Sequence, residues 1–561
     1  MKKKRLFVFL YTLCVFTACL GVAACKQQAE TLAAPSNLQV EQRVLTWDKV
    51  ENASGYVVFV NGQEFTVTEP RLELFPIGKE GDFHMRVMAV GDGQAYEDSV
   101  WVTDTFTLEA PIEHGYDEAG FEYVFLEEEL GYEVAKGKAD LKGFLSIPDY
   151  FDGYPVVRIA EWGFSPDIRG DKIAADAITG VQCNDVTTGI KLPSFLRSIG
   201  QKGCDHMRNV TEVDIPSTVT ELGKCAFSGW MNLKRVVIPE GVKVIPESCF
   251  NDTGLEEVVF PKGLERIELC AFQCLTQPWG LKHISSQLSD IVIPDSVTLI
   301  GSCAFRGREN LKNITMSKNI KDVGILAFDD TPWLNSQNGL VYINDTILYQ
   351  YVGDMPEHTE IVIPSKTTYI NAEAFRAQKN LEKVFIPDGV QLGVGCFSVC
   401  TSLKEVRLPS DLTVIPDGAF ANTNIESITI PKNVKIIGSA FASCKNLREV
   451  VLNEELECIE RSAFRGCKAL SSVRFPASLK AISGQAFTGC TALTEAIFEN
   501  EDGWADYSAE SENGKYVAVL QNGTVTPVED ITLLTDNDVL NYFWICGNPD
   551  GASEYLEYLR T

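Results

Sequence analysis

The chain has 561 residues, 45% hydrophobic and 22% charged, which is ordinary for folded protein but too long for a single core. A net charge of −28 repels phosphate backbones and excludes nucleic acid as the expected partner. The five histidines form no HExxH motif, and neither a G-x-S-x-G elbow nor a phosphate-binding G-x4-G-K-[ST] loop occurs, so no catalysis, cofactor or metal is expected.

In chain order, Lys2, Lys3, Lys4 and Arg5 precede an apolar run over 6–20, and Val22-Ala23-Ala24-Cys25 comes next. Small residues after such a run fit an export signal over 1–24. The last four residues resemble the bacterial lipobox, which implies lipid attachment at Cys25 and a membrane-anchored, surface-exposed chain. Phe16-Thr17-Ala18-Cys19 is a second candidate with Phe16 in place of a branched aliphatic residue. No later apolar stretch approaches the length of a membrane span.

After a polar tether at 25–34, residues 35–111 read as a β-sandwich. Residues 55–60 alternate into an Asn61-Gly62 hairpin turn, and residues 83–90 alternate again. With Trp47, Tyr56 and Phe83 as core aromatics and no Cys, the segment resembles a fibronectin type III domain; another seven-strand sandwich is the alternative. Residues 112–155 are expected to form the N-terminal cap of a repeat array, with strands at Val124-Phe125 and Tyr132-Glu133-Val134.

From 156 to 500 one phrase recurs: an apolar run ending in Ile-Pro, then Ala-Phe eleven residues later. Its prolines include Pro216, Pro239, Pro261, Pro294, Pro364, Pro387, Pro409, Pro431 and Pro476, spaced 22 or 23 residues apart where nothing intervenes. A period in that range predicts a leucine-rich-repeat solenoid of about 13–14 coils, mainly β with short irregular or helical segments. In the coil from Leu233, strand alternation turns Val236 and Ile238 inward and Arg235 and Val237 outward. Pro239 then ends the strand, and Val242, Ile245 and Phe250 fill the core. Insertions are expected near 165–188, 273–287 and 329–358, the last with a hairpin around Asn344-Asp345, emerging as loops on one face. Residues 501–561 read as a β-rich cap with a short helix near 553–559.

The Ile-Pro and Ala-Phe phrases together closely resemble the BspA-like leucine-rich repeats of bacterial surface proteins. The resemblance implies a surface adhesin or binding protein, acting by protein–protein recognition on a host or microbial surface protein. Glycan capture and an envelope scaffold are the alternatives.

Fourteen of the seventeen Cys lie beyond the signal and anchor. Cys400, Cys444, Cys467 and Cys490 share one repeat position, and Cys225, Cys270 and Cys303 another; both columns are expected to be core, with thiols acting as small hydrophobes rather than as disulfides.

The residues that do not repeat are the informative ones. Outward positions form two columns on the concave sheet, and the candidate ligand face comprises Arg235, Val237, Glu257, Val259, Asp290, Val292, Glu360, Val362, Lys383, Phe385 and Arg407. The second column is apolar from Val237 to Phe385 apart from Thr315: either β-branched residues stabilising strands, or an apolar stripe rimmed by acids that favours a partner with basic rim residues. Phe385 is its expected sharpest point, and Trp279, Tyr342 and Tyr349 are expected to be exposed on the insertions.

Overall fold

The computed structural model describes residues 29–165, 186–274, 287–483 and 485–499, with the backbone of Trp504–Glu512, Lys515–Leu520 and Tyr542–Cys546. The signal segment with Cys25, the bulk of the first two insertions with Trp279, and the segment 553–559 lie outside the described residues. The chain is mainly β, a solenoid of about 15 turns over residues 132–498 preceded by small antiparallel sheets. It divides into two compact units, residues 1–113 with 152–154, and the remainder.

In the first unit, Gln39–Glu41, Val44–Thr46 and Arg71–Glu73 make a three-stranded antiparallel sheet. A four-stranded antiparallel sheet runs in the order Gln63–Val67, Gly55–Val60, Gly81–Val90, Val102–Leu108. The period of two is plain in Gly81–Val90: Phe83, Met85, Val87 and Ala89 are buried, while Asp82, His84 and Arg86 face solvent. Trp47 and Tyr56 meet edge to face at 5.2 Å in this core. Asn61 and Gly62 hold the hairpin with φ of 48° and 88°, the left-handed pair that this turn requires.

The solenoid unit opens with antiparallel strands His114–Tyr116, Glu122–Leu126 and Gly131–Ala135. Pairing then turns parallel, from Gly131–Ala135 through Tyr154–Ile159 and Ser198–Ile199 to Glu221–Leu222. Each regular coil contributes two short strands. A front strand such as Arg235–Val237 pairs in register with Glu257–Val259. A side strand such as Val244–Ile245 pairs with Arg266–Ile267, then Leu299–Ile300, then Asp322–Val323. Leu233, Val236, Ile238, Val242, Ile245 and Phe250 are all buried, as strand alternation predicts.

The third side of each coil is the Ala-Phe turn, whose amides form a ladder of their own: Cys270, Phe272 and Cys274 N–H donate to Ser302, Ala304 and Arg306 carbonyls at 2.8–2.9 Å. Two residues per turn take the left-handed conformation, one just before the Ala-Phe pair and one two after the Phe. Cys225, Ser248, Cys270, Cys303 and Leu326 stand in the first column, and Asp252, Asp330, Val399 and Asn422 in the second, with φ between 52° and 63°. Such φ costs a non-glycine residue roughly 1–2 kcal/mol, and the closed ladder offsets it. Behind the turn the Phe rings stack at 5.3–5.7 Å from Phe227 through Phe250, Phe272 and Phe305 to Phe328. They stack again at 4.9–5.6 Å from Phe375 through Phe397, Phe420, Phe441 and Phe464 to Phe487.

The break between the two stacks is the insertion at 329–358, which does not emerge as a loop. Thr331 Oγ1 accepts from Leu334 N–H and caps the short helix Pro332–Asn335. Gly339–Ile343 and Ile347–Val352 then pair as a hairpin around Asn344 and Asp345, both left-handed. Ile347 and Leu348 also pair in parallel with Tyr369 and Ile370, so the second strand becomes a rung of the side ladder. The insertion is therefore a replacement coil, held in by backbone hydrogen bonds, that lacks the Ala-Phe turn.

Past the last coil, Tyr542–Cys546 runs antiparallel to Ala481–Ile482 and to Trp504–Glu512, which pairs with Lys515–Leu520. Antiparallel strands there occupy an edge that a further coil would otherwise take.

Candidate functional site

The front strands place the two outward columns side by side. Val237, Val259, Val292 and Val362 are 42%, 37%, 64% and 70% exposed, so the stripe is accessible along its length. Phe385 is only half-buried surface, not its sharpest point; Val362 and Val292 stand out further. Strand pairing is interrupted: one group joins Arg235–Val237 to Glu257–Val259, a second Asp290–Val292 to Asn313–Thr315, and a third Thr359–Val362, Leu381–Phe385 and Glu405–Arg407.

Much of the charged column is paired rather than left as a rim of free acids. In-register pairing stacks opposite charges on successive coils. Arg235 Nε meets Glu257 at 2.8 Å, and Lys383 Nζ lies 3.0 Å from Glu360 and 3.7 Å from Glu405. Those two carboxylates hold Lys383 above the usual lysine range. Asn313 Nδ2 donates to Asp290 at 2.6 Å, and its neighbours Ser289 and Asn313 hold Asp290 below the usual carboxylate range. Arg407 is exposed. Exposed pairs of this kind contribute little stability, and they leave the valines as the distinctive chemistry of the face.

The insertion aromatics are not exposed platforms. Tyr349 is buried, with its ring 5.8 Å from Phe328 and its hydroxyl accepting from Phe328 N–H at 3.1 Å. It takes the place of the missing Phe, and a residue so placed cannot face solvent. Tyr342 is half-buried, hydrogen-bonded to Thr367 Oγ1 at 2.9 Å and covered by the Lys366 ammonium 4.5 Å from its ring.

The two cysteine columns differ. Cys400, Cys444, Cys467 and Cys490 are buried, and each thiol donates to a Phe carbonyl of the preceding coil, those of Phe375, Phe420, Phe441 and Phe464, at 3.0–3.2 Å. They are donors as well as small hydrophobes. The same position, three after the Phe, holds Thr253, Thr331 and Thr423, whose hydroxyls donate to Phe250, Phe328 and Phe420 carbonyls. In one coil it holds Arg308, fully buried, which donates to the carbonyls of Phe272, Thr253 and Phe250 and to Thr253 Oγ1. The second column, Cys225, Cys270 and Cys303, is not core: all three are partly exposed, because the left-handed bend turns their side chains outward. Partial burial, then Cys303, pushes the Cys270 thiol up to about 11.

Asn371 escapes the sequence reading. It stands where other coils hold Gly301, Gly324 and Gly393, and a methyl added at those glycines would lie 2.1–2.5 Å from backbone of the preceding coil. The column is not reserved for glycine, since Pro246, Glu268, Pro416, Glu460 and Ser483 also stand there, so the asparagine carries no signal in the sequence.

A parallel solenoid of short strands with a Phe-stacked turn and a period of 22–23 residues is a leucine-rich-repeat protein. The chain belongs to the BspA type leucine rich repeat family, whose repeat region matches in six copies over residues 181–277, 283–391, 353–440 and 415–505. Similar solved structures include a leucine rich cell surface protein of Faecalibacterium prausnitzii A2-165, 23% identical over 70% of this chain and 96% of that one, with TM-score 0.36. A leucine-rich repeat protein of Bacteroides ovatus is 21% identical over 68% and 94% of the two chains, with TM-score 0.31. The pneumococcal vaccine antigen PcpA is 18% identical over 69% and 98%, with TM-score 0.38. No curated protein matches the chain.

Proposed function

We propose that this chain is a bacterial cell-surface binding protein, exported and lipid-anchored through Cys25, that recognises a host or microbial surface protein through the front face of its solenoid. The observation that carries the reading is the row Val237, Val259, Val292 and Val362, each exposed on the front strands, beside the charge pairs Arg235–Glu257 and Lys383–Glu360. β-branched side chains held on a rigid ladder present apolar area that a partner buries at little entropic cost. Self-paired charges beside them supply a polar rim without selecting for a basic partner. The three-plus-four strand arrangement of the first unit supports its reading as a fibronectin type III domain, a spacer between the anchor and the solenoid. No catalytic role is assigned.

Capture of partners from extracellular-matrix proteins and mucins tests this function. Val292→Glu and Val362→Glu each place a charge in the stripe and are expected to weaken binding of a recovered partner at least tenfold, with circular dichroism unchanged. Equal binding by both variants removes the front face from the proposal. Labelling with radioactive palmitate, abolished in Cys25→Ala, tests the anchor separately.

A further inference from the structure

The replacement coil leaves one rung of the Ala-Phe ladder unfilled. In regular coils the residue before Ala-Phe donates its N–H to the next coil, as Cys303 does to Ile325 at 2.9 Å. Leu326 and Asp330 are the donors due next, and among the described residues neither N–H finds an acceptor. On the far side, the Ala372 and Arg376 carbonyls are due to accept, and among the described residues they receive no donor. Only the middle of the rung is filled, by the Tyr349 hydroxyl on Phe328 N–H and by Tyr351 N–H on the Ala374 carbonyl.

The gap is a cavity of about 400 Å³ lined by Leu326, Tyr349, Gln350, Asn371, Glu373 and Arg376, among others. Asn371 is 2% exposed, and its Nδ2 has no hydrogen-bond partner. A buried amide left in that state costs roughly 1–3 kcal/mol. Beside it Glu373 is bridged to Arg376 at 3.0 Å, and its carboxylate retains lone pairs for further donors. Asp329, whose Oδ1 is also buried without a partner, is held above the usual carboxylate range by burial, then by Asp330.

We propose that this cavity is a ligand site for an N-acetylated sugar, whose acetamido group takes the place of the missing peptide unit. Ligand and lining match group by group. Two ladder rungs span ~10 Å, and one secondary amide fills the interval. Its carbonyl accepts from Leu326 N–H, and its N–H donates to the Ala372 carbonyl. Once the amide is placed, the remaining lining offers Asn371 Nδ2 as a donor, the Glu373 carboxylate as an acceptor and the Gln350 side-chain amide as both. That is the complement of a ring bearing several hydroxyls. A peptide would supply the same amide; the sugar is preferred because Gln350, Asn371 and Glu373 line the rest of the cavity with partners for hydroxyls. This site lies on the Ala-Phe side, and it is independent of the front face and its partner.

Saturation-transfer NMR of the full chain with N-acetylglucosamine, glucose and N-acetylglycine methylamide tests the assignment. The expected result is transfer to the acetamido methyl of N-acetylglucosamine, little to glucose, and slower hydrogen exchange at Leu326 with the sugar bound. Asn371→Gly restores the residue common in this column, and Ala377→Trp fills the cavity from its exposed rim. Each is expected to reduce the transfer at least tenfold while the circular dichroism spectrum stays native. The proposal is overturned if N-acetylglucosamine gives no transfer, if glucose matches it, or if both folded variants bind as wild type. Stronger binding of N-acetylglycine methylamide overturns the sugar in favour of a peptide.

Discussion

Cysteine side chains here are sorted by backbone geometry rather than by neighbours in sequence. Cys225, Cys270 and Cys303 occupy a left-handed bend and are partly exposed, whereas the nine other described thiols are buried. Iodoacetamide labelling of the native protein at pH 8, read by peptide mapping, is expected to mark those three first. The buried set should react only after denaturation, because the thiolate is the nucleophile and burial suppresses it. With its thiol pushed up to about 11, Cys270 should label faster as pH rises towards that value. Uniform labelling of all twelve described cysteines contradicts the assignment. Arg308 is the other residue whose role the repeat pattern conceals. Arg308→Met keeps the volume but orphans the Phe272 and Thr253 carbonyls, at ~1–3 kcal/mol each. A fall of that size in the unfolding free energy from urea titration is expected; no change would mean that water replaces the guanidinium.

Elements built from the regular phrase are set directly by it, and the exceptions arise from a break in it. The front strands, the side strands and the Pro ends are legible because alternation and period each fix one face. The hairpin at Asn344 and Asp345 is equally legible from its turn residues. What periodicity does not reveal is that Ile347 and Leu348 join the side ladder, since a parallel pairing depends on a partner outside the segment. From that pairing comes the unfilled rung. Hydrogen exchange is expected to be faster at the Leu326 and Asp330 amides than at Cys303 and Gly307, which donate to the next coil at 2.9 Å. Equal protection at the four amides would show that the rung is filled.

At the scale of the molecule, each coil is buried only by its neighbours, so damage is local in origin and shared in consequence. Phe397 sits between Phe375 and Phe420 at 4.9 and 5.5 Å. Phe397→Ala is expected to cost ~3–5 kcal/mol and to separate the unfolding of the flanking coils into two transitions by calorimetry. A single transition lowered as a whole would show that the array is more cooperative than nearest-neighbour coupling allows. Residue order is enough to specify the solenoid, its period, its inward residues and the outward valine column, because these depend on local alternation and on contacts that recur at one spacing. Only the folded chain reveals that the rim charges pair off, that Tyr349 is core, that one cysteine column faces outward and that Asn371 borders a cavity. Each of those depends on what the adjacent coil places opposite a residue, and a repeat pattern records the position of that coil without the identity of its backbone.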